Sequence, residues 1–145
     1  MSSIRTARTI AASIEEVFDC VAHIDRFREA IPHILEVEHL NEITAGVGAR
    51  FRETRVMGKR EATTELEVTE YEAPRLVRLV SDTGGAVWDT TFSLSELGAS
   101  TRMEMVMEAR PHSLLARLTV PLFGRVVARA VEADMDEIKA FCEGD

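Results

Sequence analysis

The chain has 145 residues, of which 46% are hydrophobic and 29% are charged, and its formal net charge is −8 at pH 7. This balance is typical of a globular protein with a buried core and argues against a disordered chain. The acidic charge and the lack of a basic run work against binding to a phosphate backbone, so we expect no nucleic-acid partner.

The first part of the chain reads as a strand, a helix and a second strand. The strand covers residues 3–10, and the helix covers residues 13–28. Ser13 and Glu16 form a capping box at its start, since the Ser13 hydroxyl can accept the Glu16 amide and the Glu16 carboxylate can reach back. Pro32 stops the helical region, and a second strand follows over residues 34–40. The apolar stripe of the helix consists of Ile14, Val17, Phe18, Val21 and Ile24.

Five further strands are separated by short turns rich in Gly, Pro and Asp. The third, fourth and fifth cover residues 49–57, 61–71 and 76–81. The sixth begins after Gly84-Gly85, and the seventh follows Gly98-Ala99-Ser100. Side chains of one face recur every second residue: Ala62, Thr64, Leu66 and Val68; Ala86, Trp88, Thr90, Phe92 and Leu94; Met103, Met105 and Met107. Consecutive strands with short turns favour an antiparallel meander.

A long helix is predicted over residues 113–142. Its apolar stripe consists of Leu115, Leu118, Leu122, Val126, Val131, Met135, Ile138 and Phe141. Pro121 cannot donate a backbone hydrogen bond, so we expect a kink or break near Val120. The order of elements predicts an α+β helix-grip fold, in which a curved antiparallel sheet of about seven strands wraps around a long C-terminal helix. A short helical region follows strand 1, and the fold leaves space for a ligand between sheet and helix.

Nothing in the sequence divides the chain, because no linker, internal repeat or low-complexity segment is present, so we expect one domain over residues 1–145. No apolar stretch reaches the roughly 18 residues of a membrane span, and the N-terminus lacks the apolar centre of a signal peptide. Cys20 and Cys142 lack the spacing of metal ligands. We therefore expect a cytoplasmic monomer or homodimer with no membrane span, no metal and no cofactor.

Four segments resemble motifs of a known superfamily. Residues 10–18 are similar to a strand-to-helix opening I-x-A-x-x-E-x-V-F, and Val47-Gly48 precedes the third strand. Residues 68–76 resemble V-x-E-x-x-P-x-R-L, and residues 98–103 resemble a G-x-T-x-hydrophobic strand entry. In this order they resemble the helix-grip superfamily (SRPBCC) of START domains, birch-pollen-allergen-like proteins and polyketide cyclase/dehydrase proteins.

The resemblance implies an apolar cavity between the sheet and the C-terminal helix. Across the superfamily this cavity takes lipids, polyketides, isoprenoids or hormones; some members are enzymes and many only bind. One segment differs, because Ala30-Ile31-Pro32 stands where many relatives carry an aromatic residue, often Trp, after the first helix. The ligand class therefore does not follow from the resemblance.

The side chains that alternation and helical spacing direct into such a cavity are mostly apolar. Methionine adapts to irregular apolar pockets, and Trp88 could stack on a ligand or donate a hydrogen bond to it. The methionines and Trp88 have packing in a plain core as their alternative role. The predicted ligand-binding residues are Phe51, Thr64, Leu66, Trp88, Thr90, Phe92, Met103, Met105, Met107, Leu118 and Leu122.

Four polar residues are candidates for catalysis. Glu53 and Arg55 lie on the same strand face as Phe51, and an inward ion pair there would indicate ligand anchoring or acid/base work. The alternative is that this strand bulges or lies at a sheet edge, which would expose both side chains to water. His39 could line the cavity or fill the core, and His112 could act at the cavity entrance or belong to a loop.

Three functions remain open at this stage. The first is non-catalytic binding of a small hydrophobic molecule such as a lipid, polyketide or isoprenoid. The second is a polyketide cyclase/dehydratase type of enzyme, with one acid/base pair acting in the cavity. The third is a partner-binding module with a filled core. Two inward polar candidates within reach of each other would favour the enzyme, an all-apolar cavity the carrier, and a filled interior with an exposed apolar patch the module.

Overall fold

A computed structural model describes residues 2–144 and contains a sheet of seven antiparallel strands. The strands are β1 (Ser2–Ile10), β2 (Ile34–His39), β3 (Arg50–Met57), β4 (Arg60–Glu72), β5 (Leu76–Thr83), β6 (Ala86–Leu97) and β7 (Ser100–Pro111). Their spatial order is β1-β7-β6-β5-β4-β3-β2, so strands 2 to 7 form the predicted meander and β1 joins the last of them. All seven predicted strands are confirmed.

The helical segments are shorter and more numerous than the two predicted helices. They are α1 (Ile14–Ala22), α2 (Ile24–Ala30), α3 (Leu114–Thr119) and α4 (Gly124–Cys142), and a 3₁₀ helix over Val120–Phe123 joins α3 to α4. Within the described residues, no helix is both long enough and apolar enough to cross a bilayer.

The sheet curves around α4. β1 and β3 stand first and sixth in the strand order, yet both contact α4. On one side, Arg8 of β1 donates to Asp136 at 2.8 Å. On the other, Arg55 of β3 donates to Asp134 at 3.0 Å. Two strands so far apart in a sheet can reach one helix only if the sheet folds around it, which is the predicted helix-grip architecture.

The predicted helix over residues 13–28 is two helices. The capping serine is confirmed, since Ser13 Oγ accepts the Glu16 amide at 3.3 Å. His23 has an extended backbone that ends α1, with φ −122° and ψ 117°. Its ring fits this break, because Nδ1 lies 3.1 Å from the Asp19 carbonyl oxygen and Nε2 lies 3.1 Å from the Tyr71 hydroxyl. The ring thereby reaches a carbonyl that the end of a helix leaves without a backbone donor.

The break predicted near Val120 is confirmed, because the 3₁₀ helix begins there. The prediction that the front half of the apolar stripe packs inward is wrong. Leu115, Leu118, Leu122 and Val126 are exposed, whereas Val131, Met135 and Ile138 of the rear half are buried. Before α3, the backbone amides of His112 and Ser113 both donate to the Gly85 carbonyl. This attachment turns Ala116 and Val120 inward and the leucines outward.

Candidate functional site

A cavity lies between the concave face of the sheet and α4. Its outer lobe has a volume of about 660 Å³ and its inner lobe about 130 Å³. The two lobes share one belt of wall residues and therefore lie next to each other. The shared residues are Glu53, Arg55, Leu66, Thr90, Met107, Val131 and Asp134. Small-molecule sites commonly span roughly 300 to 1,000 Å³ with a few polar groups on apolar walls, and this cavity fits that description.

Three charged side chains face one another at the junction of the lobes. Arg55 Nε donates to Glu53 Oε1 at 3.1 Å, and Arg55 Nη1 donates to Asp134 Oδ2 at 3.0 Å. All three side chains are largely buried: Arg55 is 16% exposed, Glu53 is 13% exposed and Asp134 is 21% exposed. We call these three residues the charged triad. Its formal charge is negative, because one guanidinium faces two carboxylates.

The sequence of β3 explains why two members of the charged triad point inward. Residues two apart on a strand share a face, so Glu53 and Arg55 follow Phe51, which is buried. Arg52 faces the other way and pairs with Glu38 and Glu65 in an exposed position. β3 lies between β2 and β4, and the bulge in this region is in β2. Glu53 and Arg55 are therefore on the cavity wall, and the alternative of an exposed or bulged strand is wrong.

Burial raises the pKa of Glu53 above its ordinary value, although the neighbouring Arg55 opposes the shift. Burial likewise raises the pKa of Asp134, again against the effect of Arg55. Removing a carboxylate from water disfavours its charged form, and one guanidinium only partly compensates two such groups. The pKa of Arg55 is raised, because the charges of Glu53 and Asp134 outweigh the opposing effect of burial. The charged triad thus holds a proton more readily than exposed carboxylates would.

Eight of the eleven predicted ligand-binding residues lie on the cavity wall. Phe51, Phe92 and Met105 line the inner lobe, and Leu66, Thr90 and Met107 line both lobes. Thr64 and Trp88 line the outer lobe. Their role in ligand binding stays a prediction. The Trp88 ring faces the lobe, but its Nε1 donates to the Thr83 carbonyl at 3.3 Å. That donor is already used by the backbone, which leaves the ring surface for contact with a ligand.

Three predicted ligand-binding residues lie elsewhere. Met103 is fully buried in the core and lines neither lobe, so its predicted place on the cavity wall is wrong. Leu118 and Leu122 are 72% and 77% exposed, because the helical segment that carries them is rotated outward. Thr119, Val120 and Phe123 line the outer lobe in their place.

Neither histidine candidate belongs to the cavity. His39 Nε2 lies 3.1 Å from Asp25 Oδ2, on the strand at the sheet edge. His112 Nε2 lies 2.8 Å from Asp82 Oδ1, with half of its side chain exposed. A further arginine, Arg78 of β5, donates to Asp89 at 2.8 Å. Arg78 and Asp89 alternate with the wall residues Leu79 and Thr90, so they lie on the opposite face of the sheet.

Asp134 is the functional candidate that the sequence interpretation missed. It lies on α4, three residues after Val131 and four before Ile138, which are both buried. A carboxylate at that position in an apolar stripe was the available signal. The residues of α1 and α2 that close the inner lobe were missed as well, and they are Val21, Ala22, Ile24 and Phe27.

Comparison with known proteins supports the architecture. The START superfamily protein from Mycobacterium smegmatis superimposes with a TM-score of 0.79 at 13% identity, over 98% of this chain and 97% of that one. A protein from Thermus thermophilus gives a TM-score of 0.77 at 17% identity, over 95% and 94%. The di-domain ARO/CYC protein BexL of the BE-7585A biosynthetic pathway gives 0.77 at 14% identity, over 96% of this chain and 45% of that one. At these identities the similarity shows the fold alone.

The search of curated proteins found no match to this sequence. One family model does match, over residues 1–143, and its description is "Polyketide cyclase / dehydrase and lipid transport". The match spans both helical regions and all seven strands, including every member of the charged triad. The chain therefore belongs to the polyketide cyclase / dehydrase and lipid transport family.

Proposed function

We propose that this protein binds a small, mainly apolar molecule that carries an oxygen function, such as a carbonyl or hydroxyl group. The observation that supports it best is the cavity, whose walls are apolar except for the charged triad and a few hydroxyls. Burial of apolar ligand surface would provide the affinity, at about 25 cal/mol per Å² before the costs of ordering. The charged triad would orient the ligand by hydrogen bonds to its oxygen atoms.

Binding is tested first by native mass spectrometry on freshly purified protein, followed by solvent extraction of any bound compound. A discrete added mass that is released on denaturation is the expected result. A bare mass that persists after incubation with a panel of lipids, isoprenoids and aromatic polyketides would contradict the proposal. The open cavity argues against a partner-binding module with a filled core.

Replacing Thr90 by Phe is expected to weaken ligand binding at least tenfold. Thr90 lines both lobes, so a larger ring there fills their junction. The matched control is Thr91→Phe, which places the same ring on the opposite face of the same strand. Titration of Trp88 fluorescence with the extracted compound measures both affinities. Equal affinities in the two variants would place the ligand outside the cavity.

A second candidate function is acid–base catalysis of the cyclase or dehydratase type on the bound molecule. The specific observation in its favour is that two polar candidates, Glu53 and Arg55, face inward within 3.1 Å of each other. This is the arrangement that favours an enzyme over a passive carrier. Burial raises the pKa of Glu53, which favours the protonated form that a general acid needs.

In this function Glu53 would donate a proton to a ligand oxygen, and Asp134 would accept one from a neighbouring carbon or hydroxyl. Arg55 would stabilise the carboxylate that Glu53 becomes when it gives up its proton, because Arg55 Nε already donates to Glu53 Oε1. The apolar walls would hold a flexible substrate folded, so that its reacting carbons stay close together.

Replacing Glu53 by Gln is expected to lower turnover of the extracted compound by about 10² to 10⁴-fold, the usual contribution of a general acid. The expected change in affinity is less than about tenfold, because the amide keeps the shape of the side chain. Only protonated Glu53 can donate a proton, so the rate of the native protein should fall as the pH rises through the raised pKa of Glu53. The rate of E53Q should not show this fall. Glu65→Gln, on the outer face of β4, is the control. If the compound is recovered unchanged after incubation with the native protein, the catalytic function is excluded and the carrier function remains.

A further inference from the structure

One part of the surface combines exposed leucines with arginines. It is formed by α3, the 3₁₀ helix and the first turns of α4. We call it the leucine–arginine face, and its members are Leu114, Leu115, Arg117, Leu118, Leu122, Phe123, Arg125, Val126 and Arg129. All four of its leucines are more than 70% exposed: Leu114 (80%), Leu115 (71%), Leu118 (72%) and Leu122 (77%).

These apolar side chains follow the helical repeat. Leu114, Leu118, Leu122 and Val126 are spaced four residues apart. The backbone is helical at Thr119, Val120 and Gly124, and it departs from helical values only at Phe123 among these, with φ −92° and ψ 2°. The inner side of the same segment is packed, since Ala116 and Val120 are buried against Ala86 and Ala109. The outward leucines are therefore a second apolar face on a segment whose core contacts are already made. Single exposed leucines are common on proteins, but a contiguous group indicates an interaction site.

The charge of the leucine–arginine face is opposite to that of the whole chain. The chain carries a net charge of −8, yet no Asp or Glu lies between Glu108 and Glu132. Of the four arginines in that interval, Arg110 pairs with Asp89. Arg117, Arg125 and Arg129 have no carboxylate within 4.0 Å in the part of the chain that the structure describes. Three arginines without ion-pair partners thus surround exposed leucines.

We propose that the leucine–arginine face docks on the surface of a membrane that contains anionic lipids. The leucines would enter the boundary between head groups and acyl chains, and the arginines would lie against lipid phosphates. A bilayer provides both partners at once, since apolar and anionic groups lie only a few ångströms apart in it. Pairing with a second copy would instead bring the same arginines of two chains together, because a two-fold interface repeats each residue.

Docking in this orientation would also place the cavity at the bilayer. The segment that carries the leucines on its outer side lines the outer lobe with Thr119 and Val120 on its inner side. A ligand drawn from the membrane would then have a short path to the cavity. The proposal itself rests on the surface alone and is independent of the proposed function, because it requires no ligand in the cavity.

The test is flotation of the full chain with vesicles of phosphatidylcholine, with or without phosphatidylglycerol. We expect binding only to the vesicles that contain phosphatidylglycerol, and weaker binding in high salt, because salt screens the arginines. The triple variant Arg117→Gln, Arg125→Gln, Arg129→Gln is expected to bind roughly a hundredfold more weakly, at about fivefold per arginine. The double variant Leu118→Glu, Leu122→Glu is expected to lose binding at least tenfold. Both variants change exposed side chains, so their thermal unfolding should match that of the native chain.

Two matched controls carry the same chemical changes elsewhere on the surface. Arg5→Gln, Arg52→Gln, Arg75→Gln removes the same charge from side chains that are 66%, 41% and 63% exposed. Leu97→Glu changes a leucine that is 48% exposed at the turn between β6 and β7. Both should bind like the native chain. Equal losses in variants and controls would overturn the proposal, as would no flotation in low salt. A concentration-dependent dimer that L118E/L122E abolishes, without vesicle binding, would assign the face to a second copy and overturn it too.

Discussion

Replacing Arg55 by Met is expected to lower the free energy of unfolding by about 3 to 5 kcal/mol at neutral pH. The substitution keeps most of the side-chain volume but leaves Glu53 and Asp134 buried without their cation. The loss of one partner from a buried ion pair is costly because the remaining charge is not solvated. Urea denaturation followed by circular dichroism measures this change, provided that the slope with urea stays constant.

The matched control for this prediction is Arg52→Met. Arg52 lies on the same strand, also faces two carboxylates, and is 41% exposed. We expect it to cost less than about 1 kcal/mol, because water screens exposed ion pairs. A combined variant, Arg55→Met with Glu53→Gln and Asp134→Asn, is expected to recover much of the lost stability by removing both buried charges. Similar losses for Arg55→Met and Arg52→Met would contradict the assignment of the charged triad to the interior.

The destabilisation by Arg55→Met is expected to depend on pH in a defined direction. Burial raises the pKa values of Glu53 and Asp134 above their ordinary values of 4.5 and 3.8, and loss of the guanidinium that opposes this shift raises them further. A raised acid pKa means that the folded state binds more protons than the unfolded state. The associated stability is fully present below the unfolded pKa values and is lost as pH rises through the folded ones. The deficit of the variant should therefore be smallest below about pH 4, where both carboxyls are protonated, and grow towards neutral pH.

Replacing Met103 by Ala is expected to cost about 2 to 5 kcal/mol of unfolding free energy, whereas Met107→Ala should cost less than about half as much. The two methionines share one face of β7, but Met103 is fully buried in the core and Met107 lines the cavity. Truncation in a packed core removes contacts and leaves a new void. At a cavity wall much of the removed surface already faces open space.

Urea denaturation of both methionine variants under identical conditions tests this difference. Met107→Ala should also change affinity for the extracted compound, because it enlarges the space shared by both lobes. Met103→Ala should leave that affinity unchanged. Equal losses of stability would mean that Met107 packs as a core residue, and the partly filled interior would then favour the partner-binding module.

Much of the cavity wall was predictable because it lies on strands. Side chains of a strand alternate between two faces, so one buried residue fixes the direction of its neighbours at every second position. The inward direction of Phe51 thereby predicted that Glu53 and Arg55 point inward, and that of Phe92 predicted the same for Trp88 and Thr90. The depth of a residue along the strand was not predictable in this way. Met103 and Met107 have the same sequence pattern, and only the position of α4 over the sheet puts one in the core and the other at the cavity.

The helical part of the wall was predicted less well, because a helical stripe can rotate at a break. The break was correctly predicted from Pro121. The geometry of that break, which the sequence pattern does not give, decides which residues turn inward. The attachment of His112 and Ser113 to the Gly85 carbonyl sets the rotation of α3, so Val120 faces the cavity and Leu118 faces outward.

Local patterns were therefore enough to predict the strands, their meander and the helix-grip fold, because alternation, turns and caps act over a few residues. They also placed Glu53 and Arg55 on one face. The role of Asp134 in the charged triad depends on long-range packing, since Asp134 is 79 residues from Arg55 in the chain. That packing also decided that the front leucines lie outside. Contacts between distant elements depend on how a whole sheet curves and how a helix is rotated, and no local pattern encodes either.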